Sequence, residues 1–364
     1  MKSNGYLYIV LPAYDDHGHE ILSVLVKQTY DFANGGVCAP SAEQMDFVIS
    51  DVYCNNEDLM NTNCEFESDL VPYKLATDVI LLGKAHSPDG YPIESIDLML
   101  EIGIHQKNIR VIGDRCCRFR TLRDPCFSEP YPFTSMSLGY DRAYGGVDAL
   151  SQGGQRLSYP RNPMGCGFVV RKRRECIDGL TLPNLEDPCY LLTPGNLIID
   201  DMKNWERQPF PQGFGWYGKG WHPRASYFGI APAYKEYYDK TREEAIKYVP
   251  EDQLNNFRKI DPPILDFRFF NGASPGLIFS DLKGDEKVRL VGTDPNGIFT
   301  FRLPGITPRI MIDTGEGFQT PEVVLQTVCI MKEKNKLYMV WRGAVKYIGL
   351  ENVDKLAYLE VKIE

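Results

Sequence analysis

Residues 323–341 read VVLQTVCIMKEKNKLYMVW, in which two apolar runs, 323–331 and 337–341, flank the polar stretch KEKNK. Valine, isoleucine, tyrosine and tryptophan are typical of buried strands, and a short polar stretch between two such runs indicates a tight connection. The segment therefore predicts the best β-hairpin in the chain.

Similar runs occur towards both ends of the sequence. Before residue 115, strands are predicted over 21–32 (ILSVLVKQTYDF), 47–54, 78–84, 96–103 and 109–113. In the last hundred residues, they are predicted over 287–292, 298–303, 309–312 and 356–363. Turn sequences such as Asn34-Gly35-Gly36 and Pro88-Asp89-Gly90 separate them, because glycine supplies positive φ. This spacing predicts a mainly β fold of antiparallel sandwich or barrel-like regions.

The middle of the chain, from about 115 to 230, differs from both flanks. It is rich in proline, glycine and aromatic residues and shows little periodicity of either kind. Because Trp205, Trp216 and Trp221 are unsuited to a disordered linker, we expect long irregular loops that are ordered on the sheets. Ordered loops of this length are where binding surfaces usually lie.

A helix is predicted over 232–249, with Pro232 in its first turn and Pro250 at its end. The fold should thus contain one or two short helices. A boundary placed just before this helix divides the chain into two regions. The N-terminal region, 1–230, is β-rich, and the C-terminal region, 231–364, contains the helix followed by strands. The sequence leaves open whether these are two domains or one continuous fold.

The charge balance argues against two classes of partner. The 364 residues contain 40 Lys and Arg and 49 Asp and Glu, which gives a net charge of −9. An acidic surface repels nucleic acid and anionic lipid, so neither nucleic acid nor membrane is expected as a partner. The basic run 171–174 (RKRR) is interpreted as a solvated loop. The sequence shows neither a secretory signal nor an apolar run of ~18 residues, so a cytoplasmic location is expected.

Sequence motifs for catalysis are absent. The chain contains no G-x-S-x-G elbow, phosphate loop or G-x-G-x-x-G sequence. The ten cysteines show no C-x-x-C pair, so reduced thiols are expected, and neither they nor the histidines predict a metal site. Cys166 lies between two glycines but has no histidine nearby in sequence to activate it. We therefore expect no enzyme activity, no cofactor and no metal.

Carboxylate pairs provide one alternative. Glycoside hydrolysis needs an acid and a base across the scissile bond, and Asp200-Asp201 or Asp313 with Glu316 could supply them. Aromatic side chains in the middle segment could stack sugars. Neighbouring carboxylates are commonly only exposed surface, so a carbohydrate-active enzyme is the alternative hypothesis here.

Several longer motifs occur in a fixed order along the chain. In the middle segment they are FTSMSL at 133–138, YDRAYGG at 140–146, YPRNPMGCGF at 159–168 and LPNLEDP at 182–188. On the flanks they are DLVPYK at 69–74, KNIRVIGDR at 107–115, WHPR at 221–224 and DFRFFNGASP at 266–275. This succession, which spans nearly the whole chain, resembles the family of uncharacterised bacterial proteins encoded beside type VI secretion spike (VgrG) and PAAR-like genes.

The resemblance implies a non-catalytic adaptor or chaperone that helps load a PAAR-like effector onto the VgrG spike, with both as partners. A structural component of the secretion apparatus is a further alternative. Interfaces favour Tyr, Trp and Arg, and the motifs supply them. The partner-binding candidates are Tyr140, Arg142, Tyr144, Arg161, Asn162, Asn184, Trp216, Trp221, Arg224, Phe267 and Arg268. For each, fixing the structure of its own loop is the competing role.

Overall fold

The computed structural model describes residues 2–3, 5–55, 62–121, 124–152, 155–227, 247, 250–251, 266–315, 317–347 and 360–364. The fold is mainly β, as predicted. The first strands are β1 Lys2–Ser3, β2 Tyr6–Tyr14, β3 Glu20–Asp31, β4 Ala39–Pro40, β5 Val52–Tyr53, β6 Cys64–Phe66, β7 Thr77–Leu82, β8 Lys84–His86, β9 Ser95–Ile102, β10 His105–Ile112, β11 Cys117–Phe119, β12 Pro125–Phe127 and β13 Ser135–Ser137.

The remaining strands are β14 Tyr144–Gly145, β15 Val147–Gln152, β16 Gln155–Ser158, β17 Cys166–Gly167, β18 Leu185–Glu186, β19 Ile278–Phe279, β20 Lys287–Val291, β21 Phe299–Arg302, β22 Ile310–Asp313, β23 Phe318–Gln319, β24 Val323–Met331, β25 Lys336–Lys346 and β26 Glu360–Ile363. The α-helix α1 spans Arg174–Ile177. Short 3₁₀ helices span Pro88–Gly90, Tyr140–Arg142, Met202–Arg207, Arg224–Tyr227, Phe267–Phe270 and Lys332–Lys334.

The central sheet joins strands from both ends of the chain. Its order is β1-β2-β3-β25-β24-β7-β19, with β4 also paired to β3. The predicted hairpin is confirmed as β24 and β25, connected through Lys332–Lys334 with Asn335 in the left-handed conformation. Two strand pairs depart from the antiparallel expectation, because β24 runs parallel to β7 in this sheet and β14 runs parallel to β17 in the middle segment. A parallel neighbour is available to β7 because the long intervening chain can return to it from far away in sequence.

A second sheet, β18-β10-β9-β20-β21, shares one hydrophobic core with the central sheet. Tyr30, Leu337 and Ile330 are register partners on adjacent strands and therefore lie on the same face of the central sheet. They belong to the same buried cluster as Leu100 of β9 and Phe301 of β21. The cluster also contains Leu25, Tyr338 and Val340 from the other face, so this core is not confined to one side of the central sheet.

A third, smaller sheet, β23-β22-β26, covers the far end of the central sheet. Its Ile310 and Ile363 pack with Val24 and Val26 of β3 in a separate buried cluster. The middle segment has a core of its own, around Tyr159 and ten further buried side chains, so its loops are ordered as predicted.

Two predicted elements need comment. The strand expected over 47–54 is wrong, since only Val52–Tyr53 forms strand structure there. The apolar residues before it pack as a loop, because the Val48 N–H donates to the Asp69 carboxylate (2.8 Å) instead of to a neighbouring strand. The helix predicted over 232–249 falls outside the described residues apart from position 247.

The opposite face of the central sheet carries buried charge. Lys27, Val340, Thr327 and Asp78 form one cross-strand row over β3, β25, β24 and β7. Lys27 Nζ donates to Asp69 Oδ2 at 2.6 Å, and both side chains are almost fully buried. We call these four residues the charged row. It is unusual because buried charges are costly unless each one is paired.

The second ion pair lies at the other end of the charged row. Lys74 Nζ donates to Asp78 Oδ2 at 2.6 Å and to Thr327 Oγ1 at 3.1 Å. Both ion pairs connect the sheet to the same segment, 69–74, because Asp69 and Lys74 lie at its two ends. The segment is thereby fixed onto the sheet by charge instead of by strand pairing.

Removing the charge of Asp69 should leave Lys27 buried without a counterion. We expect Asp69→Asn to lower the free energy of unfolding by about 3 kcal/mol, within the range for breaking a buried pair. The matched control is Asp97→Asn, because Asp97 pairs with Arg110 on the surface (2.7 Å) and should cost less than about 1 kcal/mol. Denaturant titrations of both variants measure the difference. Equal losses would contradict a stabilising role for the buried pair.

Candidate functional site

Several of the sequence motifs meet at one cleft beside the ends of β7 and β24. Its larger part has a volume of about 450 Å³, with a floor of Leu81, Leu82 and Met331. A smaller part of about 160 Å³ adjoins it, and the two parts share Asn63, Cys64, Tyr140 and Trp216. We call the combined space the aromatic cleft.

The rim of the larger part is charged, whereas its walls are mostly apolar. Exposed Lys84 and Lys334 lie on the rim, and neither forms an ion pair with any other described residue. Three exposed carboxylates, Glu65, Glu333 and Asp141, share the rim with them. The Asp141 carboxylate already accepts a hydrogen bond from Asn63 Nδ2 at 2.7 Å. An apolar floor with charged edges is a composition that suits a protein segment better than a small apolar ligand.

A cluster of aromatic side chains forms one wall of the cleft. Tyr140 packs edge-on against Tyr217 and Trp221, with ring centroids 5.7 and 5.2 Å apart. The backbone N–H of Tyr140 donates to Asn63 Oδ1 at 2.7 Å, which connects the cluster to the opposite wall. Burial raises the pKa of the Tyr140 phenol well above its usual range, so the group stays neutral. Edge-to-face aromatic contacts favour a rigid wall.

Arg224 fixes the base of this wall from beneath. Its guanidinium forms a two-pronged ion pair with the Glu67 carboxylate, whose Oε2 accepts from Nη2 at 2.8 Å. It also donates to the carbonyl oxygens of Tyr217 (2.6 Å) and Phe269 (2.8 Å). Burial alone would lower the pKa of Arg224, but the Glu67 carboxylate outweighs it and raises that pKa. Four of its five N–H groups are therefore used in holding loops together.

Trp216 connects the cleft to the charged row. Its backbone pairs with Ala273, whose N–H donates to Asp78 Oδ1 at 3.2 Å. The Lys74 ammonium lies 5.6 Å from the Trp216 ring. The position of this wall residue therefore depends on the charges buried in the central sheet.

Three more candidates lie in the core of the middle segment. Asn162 is fully buried and donates through Nδ2 to the carbonyls of Tyr140 (2.8 Å) and Tyr144 (3.2 Å). Tyr144 is buried and donates to Gln208 Oε1 at 3.2 Å. A side chain at Gly145 would meet the Asn162 carbonyl at 2.1 Å, so glycine is required there. Arg161 caps the loop, since its Nη1 donates to Tyr159 Oη (3.3 Å) and to two backbone carbonyls.

The last four candidates do not line the cleft. Asn184 Nδ2 donates to the Ile112 carbonyl at 2.9 Å, and its Oδ1 accepts from Arg142 Nη1 at 3.0 Å. Phe267 is buried against Tyr73, with centroids 5.5 Å apart. Arg268 is the exposed one of the eleven and pairs with Asp266. The structure thus brings Tyr140, Trp216 and Trp221 together at the cleft and places the other eight in supporting positions or elsewhere.

Sequence reasoning missed the polar residues that build the site. Asn63 and Lys334 carry no motif signal, Lys84 belongs to the family motif Gly83-Lys84-Ala85 but was not predicted as a site residue, and Lys27 lies inside an apolar run in which it passes for a solvent-facing strand residue. The one available signal was that Lys27 interrupts a run buried on both faces. Such a lysine needs a buried partner, but the sequence does not identify Asp69 as that partner.

The carboxylate pairs of the alternative hypothesis lie apart from the aromatic cleft. Asp201 caps a 3₁₀ helix by accepting from the Lys203 N–H at 2.9 Å. Asp313 Oδ1 accepts from the Gly315 N–H at 2.7 Å, and Glu316 is outside the described residues. Asp200, Asp201 and Asp313 do not line either part of the cleft.

One group of potential metal ligands occurs in the described ranges. Asp15, Asp16 and His17 place a ligand atom each within 4.8 Å of one another. Hydrogen bonds of the turn itself account for this arrangement, since Asp15 accepts from the N–H groups of His17 (2.9 Å) and His19 (2.8 Å). Nothing else at this turn indicates a metal.

The chain is a β-rich protein with a mostly apolar cleft. The chain belongs to the family described as "Uncharacterized protein conserved in bacteria (DUF2169)", which matches residues 17–342. No curated protein and no solved structure matches the chain. Across the parts of the chain that the structure covers, no helix has the length and apolar character to span a bilayer.

The chemistry of Cys166 can be tested directly. Burial raises the pKa of the Cys166 thiol to about 12, and no described base contacts it, so it should stay a protonated thiol. We expect iodoacetamide at pH 8 to modify Cys166 at least about ten-fold more slowly than exposed Cys189. Peptide mass spectrometry over a time course measures both rates in one sample. Faster modification of Cys166 would point instead to an activated nucleophile.

Proposed function

We propose that this protein is a non-catalytic adaptor or chaperone of a type VI secretion system, which acts in the cytoplasm and helps load a PAAR-like effector onto the VgrG spike. The observation that supports this most is the convergence of motifs at the aromatic cleft. Leu138, Tyr140, Pro163 and Trp221 come from four different motifs and line the same space. Dispersed motifs that meet at one cleft suit a binding function.

The shape and charge of the cleft suit an extended segment of the effector. Apolar side chains of such a segment would enter over Leu81, Leu82 and Met331. Its carboxylates would pair with Lys84 and Lys334, the two rim cations that have no ion-pair partner among the described residues. Charged rims of this kind mainly set the association rate and the choice of partner.

The rigidity of the cleft also supports an adaptor. Buried motif side chains such as Asn162 and Arg224 use their donors on backbone carbonyls and on Glu67. A wall fixed in this way needs little ordering when a partner binds, which preserves affinity. The motifs outside the cleft would then act by holding it in shape.

Reversing the rim charges should weaken capture of the effector. We expect the double variant Lys84→Glu/Lys334→Glu to recover at least about ten-fold less PAAR-like protein or spike than the unmodified chain in a tagged pull-down from the native host. The matched control, Lys172→Glu/Lys283→Glu, changes the net charge equally at two exposed positions away from the cleft and should capture normally.

The outcomes separate two claims. If the unmodified chain enriches no spike, PAAR-like protein or neighbouring toxin, the adaptor function is wrong. If the rim variant and the control both capture normally, the adaptor function stands and the aromatic cleft is not its binding site. Recovery only in assembled secretion particles would favour a structural component instead.

A further inference from the structure

The strand β10 has one edge that its own sheet leaves open. On that side its neighbour β18 pairs with β10 over residues 110–111 alone. In the same register Pro188 would face Asn108, but proline has no N–H to donate, and the chain turns away from the sheet over 187–190. The stretch 105–108 of β10 is therefore paired with β9 but has no strand on its other side.

Two residues of this edge leave their backbone groups unbonded. The Ile112 N–H donates to the Asn184 carbonyl on the β18 side of the strand at 2.8 Å, and the backbone groups of alternate residues point the same way. The N–H and C=O groups of Gln106 and Asn108 therefore point to that side as well, where no other described group bonds them. Such a row of unpaired groups is a template for an added strand.

The open edge borders a cleft of about 400 Å³ that is separate from the aromatic cleft. Residues 106–108 line one side of it, and none of its lining residues lines the aromatic cleft. Three motifs, KNIRVIGDR, LPNLEDP and DFRFFNGASP, contribute lining residues to it. We call this space the β10 cleft. It provides room for a strand beside the unpaired backbone groups.

Lys107 gives the β10 cleft a cation that has no counterion in direct contact. Its Nζ donates to Ser274 Oγ at 2.5 Å and to the Pro275 carbonyl oxygen at 2.8 Å, and it forms no ion pair with any residue that the structure describes. These two acceptors, together with the Asp187 carboxylate in the same cleft, favour the ammonium form. An ammonium has three hydrogens, so one is left for a further acceptor.

We propose that the open edge of β10 binds an extended peptide of a partner protein as an added antiparallel strand, with an acidic side chain opposite Lys107. Backbone hydrogen bonds to Gln106 and Asn108 would supply the affinity, and the carboxylate would supply the specificity. Antiparallel pairing is the more stable kind, and it places the first residue of the peptide beside Asp187. A basic residue therefore suits that end. This binding site goes beyond the adaptor function and does not rest on it.

A second copy of the chain suits this edge less well. If two β10 strands paired about a two-fold axis and used both Gln106 and Asn108, the two Lys107 side chains would lie directly opposite each other. Like charges in that position destabilise a strand pair. The charge of Lys107 thus favours an acidic partner strand over self-association.

Hydrogen–deuterium exchange of the native full-length chain with a synthetic peptide tests this proposal. The probe is acetyl-KTETV-amide, whose glutamate falls opposite Lys107 and whose lysine falls beside Asp187. We expect a saturating concentration to slow exchange of the Gln106 and Asn108 amides at least about ten-fold, because both gain hydrogen bonds. The Lys107 amide, which points towards β9, should change little. Mass spectrometry with electron-transfer fragmentation gives the rate at each residue.

Two controls separate backbone pairing from charge. The peptide acetyl-ETKTV-amide has the same composition with its two charges exchanged, and we expect it to bind at least about five-fold more weakly by fluorescence anisotropy. Asn108→Pro removes an N–H that points away from β9, which an edge strand tolerates, and should weaken binding of the probe at least about ten-fold.

Three results would overturn the proposal: neither amide is protected by the probe, both peptides bind equally well, or both amides are already protected without peptide, as self-pairing would produce. The exchange result on the unmodified chain is decisive even if Asn108→Pro lowers stability. These readouts do not depend on effector capture, so the adaptor function can fail without affecting them.

Discussion

The structure depends on the charges buried on one face of its central sheet. Lys27 and Asp78 occupy the same cross-strand row, and each is paired with a residue of the segment that covers the sheet. Without its ion-pair partner, either buried charge would lower the free energy of unfolding by several kcal/mol. Because the covering segment must neutralise both, it can dock in only one register, and this register determines where the neighbouring loops lie.

The aromatic cleft follows from this arrangement. Asp78 accepts from Asn271 Nδ2 (3.1 Å) and from the backbone N–H groups of Gly272 (3.0 Å) and Ala273 (3.2 Å). Ala273 pairs with Trp216, and the Tyr217 N–H donates to the Gly272 carbonyl at 2.8 Å. The carboxylate in the sheet is thus connected through one loop to the wall of the cleft. This chain of contacts explains how irregular loops form a fixed wall of the cleft.

The sequence allowed the regular part of the fold to be predicted and left the buried polar part unpredicted. The hairpin 323–341 and the strand over 21–32 followed from runs of apolar residues, whose burial does not depend on a particular partner. The run at 47–54 failed because the Asp69 side chain, distant in sequence, takes the Val48 N–H. Three of the eleven candidate residues, Tyr140, Trp216 and Trp221, line the cleft, but Glu67 and Asn63, which position Arg224 and Tyr140, give no local signal. Pairings of this kind are decided by tertiary structure alone.

Hydrogen–deuterium exchange of an Asp78→Asn variant tests most directly whether the charged row positions the cleft. Asparagine keeps the shape of the side chain but removes the charge that Lys74 and the N–H groups of Gly272 and Ala273 share. The account predicts that peptides covering 69–76, 271–275 and 214–218 lose protection together, while peptides covering β9 and β10 keep theirs. Loss confined to the 74–80 region, with 214–218 unchanged, would contradict it.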